Sequence, residues 1–188
     1  MKSPHCFIIK PIDGRRYDNI RTYGDVEFVI SASQEDHTVS NRFGEVVSVP
    51  IYYDGPIKPG DTVVVHHNVF KYYYDMRGRQ KSSWHHLFDD YFIVEPDQVY
   101  LYSSGGSWNA ISPFCFIKPI PTEDKMISTL SGLEELWGEV IFKNEDMTDV
   151  EVNDIVSFTP DSEYEFRIND EVLYRMFNKN ICLKKPRY

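Results

Sequence analysis

Apolar residues in this chain come in short runs, each closed by turn-forming residues. The first run, Cys6-Phe7-Ile8-Ile9, stops at Lys10-Pro11, and the next, Val26-Glu27-Phe28-Val29-Ile30, sits between Gly24-Asp25 and the polar stretch from Ser31 to Asp36. Phe43-Gly44-Glu45-Val46-Val47-Ser48-Val49 and Thr62-Val63-Val64-Val65 follow, joined through Gly55, Pro56, Pro59 and Gly60. β-Branched residues pack well on a pleated surface, and Gly and Pro punctuate turns, so these runs predict strands joined by tight links. Further runs at Val69–Tyr74, Ser83–Phe88, Tyr91–Val94 and Val99–Tyr102 predict a second hairpin turning at Arg77-Gly78-Arg79, then two more strands. Leu130–Trp137 has room for one helical turn, and no other segment sustains a period of 3.6. The expected class is all-β, with many short strands arranged as two small barrels.

The pattern then repeats. Cys115-Phe116-Ile117-Lys118-Pro119 matches the opening run, and Trp137-Gly138-Glu139-Val140-Ile141 matches Phe43-Gly44-Glu45-Val46-Val47. Val152-Asn153-Asp154-Ile155-Val156 matches Pro59-Gly60-Asp61-Thr62-Val63, and the glycine-to-aspartate spacing is 17 residues in the first copy and 16 in the second. Glu171-Val172-Leu173-Tyr174 is aligned with Tyr91-Phe92-Ile93-Val94, and Ile181-Cys182-Leu183 closes the second copy. Self-similarity of this kind predicts two copies of one β unit. Their bounds are placed at residues 1–102 and 112–188, with the Gly/Ser-rich stretch 103–111 as linker. Between lysine and glycine the first copy is longer, 34 positions against 20, which leaves a long excursion over Asp13–Arg42.

With 188 residues, 41% hydrophobic and 15% aromatic, the chain has enough apolar surface for packed cores. Its formal net charge of −9 repels a nucleic-acid backbone or an anionic membrane, so neither is an expected partner. The N-terminus lacks a signal-peptide layout, and no apolar run approaches the roughly 20 residues that cross a bilayer. A cytoplasmic location is expected. Cys6 and Cys115 are placed at equivalent points of the two copies and read, with Cys182, as small buried hydrophobes rather than disulfide or reactive thiols.

Candidate chemistry is sparse. His66, His67, His85 and His86 invite a metal reading if the two pairs meet across strands, yet two imidazoles do not complete a zinc site; packed or solvated histidines are the alternative. No nucleophile elbow, P-loop or dinucleotide motif occurs, so no catalytic residue, metal or cofactor is expected. A binding or assembly protein is the reading that remains, with a metal-dependent enzyme at the histidines as the competing class. Two surfaces stand out. The apolar island at Phe28, Val29 and Ile30 is a docking element in a solvated loop or else an ordinary short strand. Tyr72, Tyr73, Tyr74 and Trp84 form an interface or else a face packed on the barrel.

The ordered set Phe7-Ile8-Ile9-Lys10-Pro11, the long loop with an apolar tripeptide, Gly44-Glu45-Val46-Val47, Pro59-Gly60-Asp61-Thr62-Val63 and Phe92-Ile93-Val94-Glu95-Pro96-Asp97-Gln98-Val99 resembles the GroES family of co-chaperonins. The resemblance covers most of Cys6–Tyr102 and, more weakly, Cys115–Leu183, like the tandem, double-length co-chaperonins. It implies a ring-forming homo-oligomer that caps a GroEL-type chaperonin in protein folding, docking through Phe28, Val29 and Ile30. In the second copy Met126-Ile127 is the nearest counterpart of that tripeptide, and the stretch Phe70–Phe88 is additional to the family pattern. The alternative is a structural or adaptor protein of the same fold, in a viral or other assembly without a chaperonin.

Overall fold

Residues 1–29, 39–121, 133–169 and 171–186 are described by a computed structural model. The chain is all-β and its sheets are antiparallel. It divides into two units, Met1–Ser107 and Trp108–Tyr188. Strands of the first are β1 (Phe7–Pro11), β2 (Ile20–Tyr23), β3 (Val26–Val29), β4 (Phe43–Ser48), β5 (Thr62–Val65), β6 (Tyr72–Tyr74), β7 (Gln80–Ser82), β8 (His86–Phe88), β9 (Tyr91–Val94) and β10 (Val99–Ser104). β11 (Ser107–Ala110) spans the division, and the second unit continues with β12 (Phe114–Pro121), β13 (Leu133–Phe142), β14 (Ile155–Phe158), β15 (Tyr164–Ile168), β16 (Glu171–Phe177) and β17 (Ile181–Lys184).

One sheet runs β11-β10-β5-β4-β1-β9-β8 and the other β17-β14-β13-β12-β16-β15. The five strands β10-β5-β4-β1-β9 and the five strands β17-β14-β13-β12-β16 share one pairing scheme. Lys10 faces Glu45 and Pro11 faces Gly44, as Lys118 faces Glu139 and Pro119 faces Gly138. The Lys-Pro and Gly-Glu pairs therefore hold matching register positions in both copies, while the Lys118 ammonium itself pairs with Glu171 of β16 at 2.7 Å and the Lys10 ammonium lies over the Tyr91 ring at 4.4 Å. A register shift falls at the same place in both copies, between Ile8 and Ile9 and between Phe116 and Ile117. The turn before β5 and β14 recurs too. The Asp61 carboxylate accepts the Lys58 N–H at 2.8 Å and the Asp154 carboxylate accepts the Glu151 N–H at 2.7 Å. The residue before each aspartate is left-handed, with φ of 94° at Gly60 and 68° at Asn153.

Side chains alternate as a pleat requires. In β4, Val46 is buried while its neighbour Val47 points outward. The first core gathers Ile9, Val46, Val63, Phe70, Phe92 and Leu101, with Phe70 and Phe92 edge-to-face at 4.9 Å. Each such side chain contributes about 1.5–3 kcal/mol when fully buried. The second core gathers Cys115, Ile117, Val140, Val156, Phe158 and Met176.

Several sequence expectations change. Among the described residues neither strand order closes on itself, so the sheets are open rather than barrels. Extra strands β11, β8 and β15 occupy edges that closure would have joined. The supposed linker is a hairpin: Gly105 and Gly106, with φ of 66° and 94°, form the two-residue turn between β10 and β11. Two successive left-handed residues are what a tight hairpin of this kind demands, and Gly supplies them without steric cost. Leu133–Trp137 is strand, not helix, because β13 pairs with β12 on one side and β14 on the other. Residues 130–132 lie outside the described residues.

The second hairpin closes earlier than expected. Its return strand is Gln80–Ser82, while His86–Phe88 pairs with β9. Asp75 causes this, since its side chain accepts the N–H groups of Arg77 and Arg79 at 2.8 and 2.9 Å and winds the chain tightly around Gly78. Two alignments between the copies also slip. Cys115 occupies the position of Phe7, not Cys6, and Met176, not Tyr174, occupies that of Val94. Face alternation forbids an odd offset within a strand, so register counted from Lys-Pro overrides identity at the cysteine.

A candidate docking surface

The excursion between β1 and β4 is the long insertion of the first copy. It opens with a single 3-10 turn, Ile12–Gly14, and then narrows to a neck where Tyr17 and Ser40 form an antiparallel bridge. Asp18 donates its N–H to the Val39 carbonyl at 2.8 Å, and Asn41 donates its N–H to the Arg16 carbonyl at 3.0 Å. The Asn41 side chain adds a bond to the Arg15 carbonyl at 2.5 Å, and the Ser40 hydroxyl donates to the His67 carbonyl at 2.6 Å. Buried Ser40 and Asn41 thus satisfy backbone groups that a loop would otherwise leave open.

Beyond the neck the chain forms a two-stranded ribbon, β2 against β3, turning at Gly24-Asp25. Ile20 faces Val29, Arg21 faces Phe28 and Tyr23 faces Val26. This ribbon belongs to neither large sheet. Every residue of β3 is exposed, with Val26 at 55%, Phe28 at 51% and Val29 at 64%. Adjacent residues of a strand point to opposite faces, so both faces of the ribbon carry apolar side chains into solvent. Of the two alternatives for this island, a solvated loop or a short strand, Phe28 and Val29 lie on a short strand, paired with β2 and exposed rather than packed in the core. Ile30 and Met126-Ile127 lie outside the described residues.

The tyrosine run divides. Tyr72 turns inward, its ring stacked on Tyr17 at 6.2 Å and covered by the Arg16 guanidinium at 4.4 Å. Tyr73 and Tyr74 are exposed on the β6–β7 hairpin. Trp84 lies outside any strand, exposed, with its ring 3.8 Å from that of His85. Three of the four aromatic candidates thus face solvent and one is committed to the fold. Sequence reasoning passed over Arg16, Tyr17 and Asn41. Their partners lie 55 and 66 residues away for Tyr17 and Arg16, and no local pattern announces such contacts.

The histidine pairs do not meet. His66 follows β5 and His86 opens β8, and β4, β1 and β9 stand between those strands. The His66 and His67 rings stack on each other at 4.1 Å. His85 is buried, and its ring Nδ1–H donates to the Ile93 carbonyl at 3.0 Å. Burial holds its pKa below the usual imidazole value, partly opposed by that hydrogen bond and by the charge of Glu95. Among the described residues no group of three or more His, Cys, Asp or Glu is placed to hold a metal ion. Burial also pushes the Cys115 thiol up to about 12, the Arg175 charge opposing it, and this keeps it an unreactive core group. Cys182, by contrast, is exposed and Cys6 half-exposed, so only one of the three thiols is a core hydrophobe.

A shallow depression in the second unit is lined by Tyr164, Arg175, Phe177 and Lys179, with the Arg175 guanidinium 5.1 Å from the Tyr164 ring. Asp161 and Glu163 also line it, so it mixes both signs of charge with aromatic rings, and neither carboxylate is buried. No helix among the described residues is long and apolar enough to cross a membrane. No protein-family model matches this chain, and no curated protein sequence matches it.

Proposed function

We propose that this protein is a co-chaperonin-like binding protein that docks on a GroEL-type chaperonin through the β2–β3 ribbon and acts as a homo-oligomeric cap. The observation that carries the reading is the exposed apolar set Val26, Phe28 and Val29, held on an ordered ribbon inserted between β1 and β4. Large apolar side chains left in solvent together are the informative exception to burial, and they mark interaction sites. Burying Phe28 and Val29 on a partner contributes about 1.5–3 kcal/mol each before ordering costs. A ring of such contacts multiplies weak affinity through effective concentration.

The test is pull-down with a GroEL-type chaperonin, with and without nucleotide, for the wild type and Val29→Asp. Wild type is expected to bind and the variant to lose binding at least tenfold, about 1.4 kcal/mol per decade. Thermal stability of the variant should stay within a few degrees, because Val29 lies outside both cores. If the substitution unfolds the first unit, or leaves binding intact, the docking assignment fails.

A second reading draws on the β6–β7 hairpin, which the GroES-like pattern lacks and which exposes Tyr73, Tyr74 and Met76. On this reading the chain is a structural or adaptor protein of another assembly, and wild type would form oligomers yet show no chaperonin binding.

A further inference from the structure

A two-stranded ribbon has no third strand to fix it, and alone such a hairpin is marginal in water. Among the described residues β2 and β3 pair only with each other, so contacts at the ribbon's base are one means of setting its direction. Five contacts meet there. Arg16 donates from Nη1 to the Ser82 hydroxyl at 2.8 Å, and its guanidinium lies over the rings of Tyr72 at 4.4 Å and Phe92 at 4.8 Å. The Tyr17 hydroxyl oxygen accepts the backbone N–H of Tyr72 at 2.8 Å, and the two rings stack with planes 17° apart. Both anchoring residues on the far side, Tyr72 and Ser82, are cross-strand partners on the β6–β7 hairpin. Ser83 closes the base of that hairpin, donating its N–H to the Lys71 carbonyl at 3.1 Å and its hydroxyl to the Val69 carbonyl at 2.5 Å, and Phe70 just before it packs edge-to-face on Phe92 of β9 at 4.9 Å. Val69 and Phe70 are fully buried.

We infer that the β6–β7 hairpin is a buttress for the docking ribbon, with Arg16 and Tyr17 as positioning residues that clasp the ribbon's base and pre-order it for an apolar groove on a protein partner. The inference rests on the proposed docking role for its purpose, but the clasp itself is a property of the isolated chain. Its physical advantage is that a ribbon already ordered loses less conformational entropy on binding. Arg suits the place because one planar guanidinium stacks on two rings while still donating a hydrogen bond. The insertion Phe70–Phe88 thereby acquires a role on the inner side of its tyrosine run.

The test is backbone 15N relaxation on the full chain. Amides of Ile20–Val29 are expected to show order parameters near 0.85 in wild type, the value of rigid backbone, and to fall below about 0.6 in Arg16→Ala and Tyr72→Ala. Tyr72→Phe keeps the ring and the N–H, so it should retain wild-type values. Tyr17→Phe removes the hydroxyl acceptor alone and provides a milder break should Arg16→Ala fail to fold. Low order in the wild-type ribbon, or unchanged order when both Arg16 and Tyr17 are altered, overturns the inference. So does loss of order spreading equally through β1, β4 and β9, which would make the clasp a general core support. Chaperonin pull-down of wild type and Val29→Asp beside these variants separates the two readings. Absent binding by wild type removes the proposed partner and leaves the clasp to the relaxation result, whereas binding that survives Val29→Asp removes the ribbon as the docking element.

Discussion

His85 shows how one side chain links burial to a pH response. Its ring is buried and its Nδ1–H is committed to the Ile93 carbonyl, so protonation would place a charge where water cannot reach it. The folded-state pKa lies below the unfolded value of about 6.5, so between the two the unfolded chain binds more protons than the folded one. Stability from this group is complete above about pH 6.5 and declines as pH falls through the window between the unfolded and folded values. Urea unfolding at several pH values should show the wild-type midpoint falling on acidification more steeply than that of His85→Gln. Equal slopes would mean that His85 is not held neutral. The pair His85-His86 was visible in the sequence, but which member is buried was not, because that follows from β8 pairing to β9 through His86 and Phe88.

At the scale of elements, the repeated glycines have a steric cause. A Cβ on Gly44 would lie 2.9 Å from Ile9 Cδ1 and 3.2 Å from both the Lys10 carbonyl oxygen and Phe70 Cζ. On Gly138 it would lie 2.7 Å from the Lys118 carbonyl oxygen and collide with the Ile117 side chain. The obstacle at Gly44 is partly the end of a flexible isoleucine, whereas at Gly138 it includes a close backbone oxygen that cannot turn away. Gly138→Ala is therefore expected to destabilise more than Gly44→Ala, about 3 against about 1 kcal/mol by denaturant unfolding, within the range seen for overpacking. A reversed order would show that β12 and β13 separate more readily than β1 and β4. The Lys-Pro and Gly-Glu signals were legible because strand pairing sets them opposite one another. The hairpin at Gly105-Gly106 was not, since a Gly-rich stretch serves a linker and a tight turn equally until a partner strand decides between them.

Over the whole molecule, the sheet edges carry exposed apolar side chains among the described residues. β17 carries Leu183 exposed at the edge of one sheet, and β8 carries Leu87 and Phe88 exposed at the edge of the other. Edge strands bearing apolar side chains invite pairing unless they are blunted or covered, and a closed symmetric oligomer is one way to cover them. Light scattering is expected to return a multiple of the 22.1 kDa chain mass, and a monomer across a wide concentration range would count against assembly. The amino-acid sequence by itself determined the all-β class, the doubled strand motif and the apolar island at Phe28 and Val29, because each is written in neighbouring residues: alternation, β-branching and turn chemistry. Tertiary structure alone decided that the sheets stay open, that the island rides on a paired ribbon, that Tyr72 turns inward to Arg16 and Tyr17, and that the histidine pairs stay apart. Those outcomes depend on contacts between residues far apart in the chain, whose geometry exists only once the strands have chosen their partners and register.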